Sequence, residues 1–250
     1  MFNKKPYVHT EIYHNLESPK QIVPVIMEWL NPKSVVDIGC GIGTFLFCFK
    51  EAGVKNILGI DGPWANRELM KKYLSAGEFM EANLGRPIAT DKKFDLAVCL
   101  EVVEHLKESE ADAIVQSLTQ LSPLILFSAA VPEQGGENHI NEQWIQYWQD
   151  KFEKQGYIVH DVLRKVFWNN EKVYWWYKQN MFLVAHKNYT PDFSALKKYE
   201  PPGILNYIHP DTFLYKSSLL QNVILRGRYG FWNYTRLFFK GLLRTFKIRK

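Results

Sequence analysis

Cysteine is scarce in this sequence, long apolar runs are absent, and acidic residues stop at Asp211. The 3 cysteines, Cys40, Cys48 and Cys99, stand among apolar neighbours at spacings that suit neither a disulfide framework nor a zinc site. A reducing cytoplasm is the expected location. No stretch of about 18 or more apolar residues occurs, so no membrane span is expected. The first residues interleave Lys4, Lys5, His9, Glu11 and His14 where a signal peptide needs an unbroken apolar segment. There is also no internal repeat and no low-complexity tract. The missing acid has a charge consequence: nine Lys or Arg follow Asp211, so the tail is +9 and the preceding body about −4 within a net charge of +5.

What is present is enough apolar material, 46% hydrophobic and 15% aromatic over 250 residues, for one sizeable core. Short apolar runs alternate with helical patterns through position 187, the signature of βαβ units and a parallel sheet. Strands are expected at 34–38, 56–60, 78–81, 94–100, 124–129, 157–162 and 180–186. Helices are expected at 43–52, closed by Gly53, and at 110–121, where Ile114, Val115, Leu118 and Leu121 form a stripe behind a cap at Ser109. A third starts from a cap at Asn141 and runs to Gly156, and an aromatic segment, Phe167 to Tyr177, joins the last two strands. Pro, Tyr and polar residues enrich positions 188–210, which places a boundary between a main domain, 1–188, and an irregular extension, 189–250.

The most informative stretch is Val35-Val36-Asp37-Ile38-Gly39-Cys40-Gly41-Ile42-Gly43-Thr44-Phe45, an apolar strand that enters a glycine turn and then a helix. Glycine permits the tight turn and a close approach to main-chain atoms. The spacing is Gly-x-Gly-x-Gly, and Thr44 stands where a dinucleotide site wants the last glycine, which weakens a nicotinamide-dependent oxidoreductase reading. Asp37 suits a cationic ligand and would repel a pyrophosphate. Asp61, at the end of the second strand, is placed to accept hydrogen bonds from both hydroxyls of a ribose.

These ordered pieces resemble the class I S-adenosylmethionine (SAM)-dependent methyltransferases, over roughly residues 20–187. The resemblance implies an α/β, Rossmann-like fold: a seven-stranded, mostly parallel sheet with helices on both faces, plus a C-terminal extension. It implies that SAM is bound, with Asp37, Gly39, Gly41 and Gly43 framing its methionine part and Asp61 holding the ribose. Asn83, in Glu81-Ala82-Asn83, matches the adenine contact, although the family often has Asp there. Cys40, Gly62, Leu84 and Glu101 complete the expected cofactor-binding set.

Glu101-Val102-Val103-Glu104-His105 follows the fourth strand, at the edge where open α/β sheets bind ligands. A helical turn there would place Glu101, Glu104 and His105 on one face. Two carboxylates and an imidazole suit Mg²⁺ or another oxygen-preferring divalent cation, or else Zn²⁺, and His139, in the loop after the fifth strand, can complete the shell or act as general base. His105 and His139 are thus the candidate catalytic residues. The element is similar to the Glu-x-x-Glu-His segment of the ubiquinone-pathway and small-RNA 2′-O-methyltransferases, which bind a divalent metal through it. The competing reading has no metal: Glu101 lines the SAM pocket and Glu104 supplies charge at a helix start.

Trp144, Tyr147, Trp148, Trp168 and Tyr174 to Tyr177 are candidates for an acceptor wall, most of them serving the core instead. The Gly135-to-Trp144 and Trp175-to-Asn180 stretches look like those of methyltransferases of surface-glycan synthesis, so a sugar or glycan hydroxyl is the expected acceptor. A quinone precursor or other small phenol is the alternative, and a non-catalytic SAM-binding module the competitor from another class. From Tyr229 to Lys250, Phe231, Tyr234, Phe238, Leu242 and Phe246 recur at helical spacing apart from Arg236, Lys240, Arg244 and Lys247. This basic amphipathic tail suits the inner surface of an anionic membrane or docking on the protein's own acidic body. No nucleic-acid motif accompanies its charge, so nucleic acid is not an expected partner.

Overall fold

The structure, a computed structural model, describes residues 12, 14–189, 207–226, 235, 236, 238 and 239. The chain divides into two compact units, Met1–Tyr207 and Ile208–Lys250.

In the first unit the elements run α1 (Glu17–Leu30), β1 (Ser34–Ile38), α2 (Thr44–Glu51), β2 (Asn56–Asp61), α3 (Arg67–Met70) and β3 (Phe79–Glu81). They continue with β4 (Leu96–Leu100), α4 (Ala111–Leu121), β5 (Leu124–Ser128), α5 (Ile145–Lys154), β6 (Tyr157–His160), α6 (Leu163–Phe167), α7 (Trp175–Asn180) and β7 (Phe182–His186). The seven strands form one sheet in the order β3-β2-β1-β4-β5-β7-β6. β7 pairs antiparallel with both β5 and β6, while every other pairing is parallel. The seven-stranded, mostly parallel, Rossmann-like fold expected from the sequence is therefore present, with each strand within a few residues of its expected position.

Successive residues of a strand point to opposite faces, and each face here has its own core. Val35, Leu96, Val98, Leu124 and Leu126 pack with Ile22 and Ile26 of α1, Leu46 and Phe49 of α2, and Leu163 of α6. On the other face Val36, Ile38, Ala97, Ile125 and Phe127 pack with Ile114, Val115 and Leu118 of α4 and with Trp148 and Phe152 of α5. Burial on both faces explains why the central strands read as unbroken apolar runs.

Several local expectations are corrected. Ser109 does not cap α4: residues 108–110 form a 3-10 turn, and the helix begins from Glu110 without a side-chain cap. Asn141 does not cap α5, which starts from Trp144; Asn141 is instead buried and accepts from Gln143. No helical turn spans residues 101–105. Glu101 takes a left-handed φ of 54°, and a 3-10 turn starts at Val103. The aromatic segment 167–177 connects α6, whose last residue is Phe167, to α7, which begins at Trp175, and Asn180 ends α7 rather than opening β7. α1, which no sequence signal marked, covers one face of the sheet.

The second unit is not wholly irregular, since α8 (Pro210–Arg226) is a 17-residue helix. Most of the amphipathic pattern of 229–250 lies outside the described residues. Among those described, no helix is long and apolar enough to cross a membrane.

Candidate functional site

The strand order reverses between β1 and β4, which are neighbours although a β-α-β excursion separates them in sequence. In open α/β sheets the crevice at such a switch point, beyond the carboxyl ends of the strands, is where ligands bind. The glycine turn leaves β1 there, and the Glu-x-x-Glu-His segment leaves β4 beside it.

The turn needs its glycines for backbone reasons. Gly39, Gly41 and Gly43 have φ of 78°, 57° and 89°, the left-handed region that side chains disfavour. Space is also limiting, because a Cβ on Gly39 would stand 2.4 Å from Val102 and one on Gly43 2.6 Å from Leu74. The room opened by these two glycines is thus used by the protein's own side chains. Gly43 precedes α2 with no side-chain cap, so the first N–H groups of that helix remain available to an anionic group.

Asp61 binds the turn to β2. Its carboxylate accepts from Gly41 N–H at 2.8 Å and from Gly62 N–H at 2.6 Å, and the Trp64 indole also hydrogen-bonds to it. Burial raises the Asp61 pKa, and these donors offset part of that rise. Asp37 ends in the same crevice, paired in register with Gly59 on β2 and Val98 on β4. Burial, reinforced by Asp61, pushes its carboxyl up to about 8. A cationic group beside Asp37 would reverse that shift.

The remaining residues expected at the cofactor sort by position. Cys40 is buried with its sulfur toward Gly59, and Gly62 lies beneath the Trp64 ring, 2.3 Å from where its Cβ would be. Asn83 is exposed and accepts from Gly85 N–H in a tight turn, while Leu84 is buried in the core on the α4 face. Glu101 is held by amides: its carboxylate accepts from Gln134 at 3.0 Å and from Asn180 at 3.1 Å, and Asn180 also donates to Gln134.

Glu104, His105 and His139 come together, each offering a ligand atom within 4.8 Å of the others. Glu101 is not part of this cluster. The loop after β5 is pinned by Ile140 and Asn141 N–H groups donating to the Glu104 carbonyl, which carries His139 to the site. Its ring meets His105 edge to face at 4.9 Å, and its Nδ1 lies 2.9 Å from Glu142. Glu142 also accepts from Gly135 N–H, so the carboxylate fixes both the loop and the imidazole. Neither carboxylate oxygen of the fully buried Glu104 has a hydrogen-bond partner. Burial, then repulsion from Glu101, raises its pKa well above the usual range. Burial and the neighbouring His139 lower the His105 pKa to about 4, so this imidazole is neutral near pH 7.

Gln134, Glu142, Trp64 and Asn180 were not singled out from the sequence as site residues. Glu142 carries a faint signal, three residues beyond His139. No spacing rule links 101, 134 and 180.

A family model described as "Methyltransferase domain" matches residues 19–193. Similar solved structures include the methyltransferase domain of bacterial CtHen1, 20% identical, covering 69% of this chain and 99% of that one at a TM-score of 0.47. The glycopeptide N-methyltransferase MtfA is 14% identical, covering 69% and 90%, with a TM-score of 0.48. Magnesium protoporphyrin IX methyltransferase from Synechocystis PCC 6803, with bound SAM, is 19% identical, covering 67% and 79%, at 0.47. No curated protein matches the chain.

Gly39→Ala should cost about 2–4 kcal/mol in urea unfolding, since it meets both a left-handed φ and Val102. Adding Val102→Ala should recover part of that loss; a double variant whose losses simply add would contradict the packing described here.

Proposed function

The chain belongs to the methyltransferase domain family and is a SAM-dependent transferase, and from that premise we propose that it methylates a hydroxyl oxygen of a sugar or glycan. The observation that carries the oxygen acceptor is the Glu104–His105–His139 cluster, on the turn after β4 and the loop after β5, beside the strand that leads into the glycine turn. Support for a sugar comes from the likeness of the Gly135-to-Trp144 and Trp175-to-Asn180 stretches to those of glycan methyltransferases; beside Asn180, which holds Glu101, Trp144, Tyr207 and Gln179 line a small cleft with room for about one water.

Bound SAM supplies a methyl group already activated on a sulfonium, so the protein's task is alignment and removal of the hydroxyl proton. Asp37 and Asp61 place negative charge where that cation and its ribose hydroxyls are held, and the open amides at the start of α2 suit its carboxylate. With Glu142 on Nδ1, the Nε2 atom of His139 is the one left to take the acceptor's proton, and the imidazolium so formed is stabilised by that carboxylate.

The donor set also fits a divalent cation. A buried carboxylate without a partner beside two imidazoles is costly unless the carboxyl keeps its proton or a cation replaces it. In that alternative Glu104, His105 and the Nε2 of His139 would hold the ion in place of the base role given to His139 above, and the ion when bound would lower the pKa of an acceptor hydroxyl. Peripheral contact of residues 229–250 with an anionic membrane belongs to this proposal, and it fits a lipid-linked acceptor.

Two measurements test the reading. Incubation of the protein with isotopically labelled SAM and a glycan-containing cell extract should give mass-labelled glycan products; label found only on phenols or only on nitrogen would contradict the acceptor class. For the ion, the sign follows from linkage. A carboxyl whose folded pKa is raised gives stability below its ordinary value near 4.5, and that stability is lost as pH rises toward the folded pKa. In chelator at neutral pH, Glu104→Gln should therefore raise Tm by about 2–6 °C. Millimolar Mg²⁺ or Mn²⁺ should stabilise the wild type by about 1–3 kcal/mol and leave the variant unmoved. Equal stabilisation of both proteins would remove the ion site.

A further inference from the structure

α8 leaves large apolar side chains in water. Phe213 is 67% exposed, Leu214 61% and Leu220 59%, whereas Thr212, roughly 100° round the helix from Phe213, is buried. Phe213 and Leu220, seven residues apart, fall on one stripe, and Leu214 flanks it. Phe238 and Phe239, in the same unit, are 65% and 61% exposed. Apolar side chains scattered singly over a surface are ordinary, but several along one helix mark a contact surface.

The charge pattern selects the partner. All nine charged residues after Asp211 are basic; α8 itself carries Asp211 in its first turn and two of the nine, Lys216 and Arg226, and the other seven follow it. Two copies of such a surface would repel one another. A nucleic acid would neutralise the charge and leave the apolar stripe in water. An anionic bilayer answers both features, since its headgroups attract the cations and its acyl boundary takes the aromatic and aliphatic side chains. The acidic excess of the first 211 residues would favour this end of the chain over the body at such a surface. We infer that α8 is a peripheral docking face for an anionic lipid surface, with Phe213, Leu214 and Leu220 entering the headgroup boundary. The apolar contacts of this face lie outside residues 229–250, which supply six of the nine basic charges, and the inference does not depend on the identity of the methyl acceptor.

The test is co-sedimentation of the full chain with vesicles of phosphatidylcholine alone or with about 30% phosphatidylglycerol. The wild type should partition onto the anionic vesicles at least about tenfold more strongly, and about 0.5 M salt should weaken that binding. The triple substitution Phe213→Ser, Leu214→Ser, Leu220→Ser should lose at least about tenfold with Tm and sedimentation mass unchanged. A second variant, Phe213→Cys carrying a polarity-sensitive dye, should shift to the blue on anionic vesicles; the native Cys40, Cys48 and Cys99 are buried and escape labelling. Three results overturn the inference: wild type left in the supernatant, a triple variant that binds like wild type, or no dye shift. A triple variant that gains a lower Tm or loses a dimer mass would assign the face to the protein's own body or to a second copy.

Discussion

The hydrogen bond from Gly41 N–H to the Asp61 carboxylate ties together two elements that the chain separates by a helix. It sets the glycine turn against the end of β2, and a second bond from Gly39 N–H to the Ile60 carbonyl at 2.7 Å holds the same seam. A buried carboxylate is stable only while such donors face it, and Asp61 has three of them: Gly41, Gly62 and Trp64. Asp37, lacking a comparable set, is driven toward its neutral form. The crevice therefore holds one carboxyl group met by three donors beside one whose ionisation a cationic ligand would restore, which is the electrostatic basis for reading it as a sulfonium nucleoside site.

The neighbouring cluster follows a different logic. Glu101 departs from β4 in a left-handed conformation that costs on the order of 1 kcal/mol for a residue with a side chain, and the surrounding amides of Gln134 and Asn180 hold it there. That departure ends the strand and starts the short turn bearing Glu104 and His105. Local strain is thus spent on bringing a partnerless carboxylate beside two imidazoles, an arrangement that packing alone would not favour.

Much of the fold was legible because burial on both faces writes itself as runs such as Val35-Val36 and Leu96-Ala97-Val98, and because α4 carries a clear stripe. The order of strands was not, since β7 reaches its place between β5 and β6 through tertiary pairing that no local pattern records. Caps misled where a plausible Ser109 or Asn141 stood near a helix that starts two or four residues later, respectively. At the site, Asp37, the glycines and Asp61 could be read from spacing. The amide bridge of Gln134 and Asn180 to Glu101 could not, because it joins three segments 33 and 46 residues apart. The helical geometry expected for Glu101, Glu104 and His105 failed for a single reason, the reversed φ at Glu101.

The central claim is that Asp61 and the glycine turn make a SAM site, and calorimetric titration with S-adenosylhomocysteine addresses it most directly. The account predicts one molecule bound per wild-type chain with a Kd in roughly the micromolar range, weakened at least about tenfold by Asp61→Asn. Binding of equal strength to both proteins, or no binding to the wild type, would contradict it.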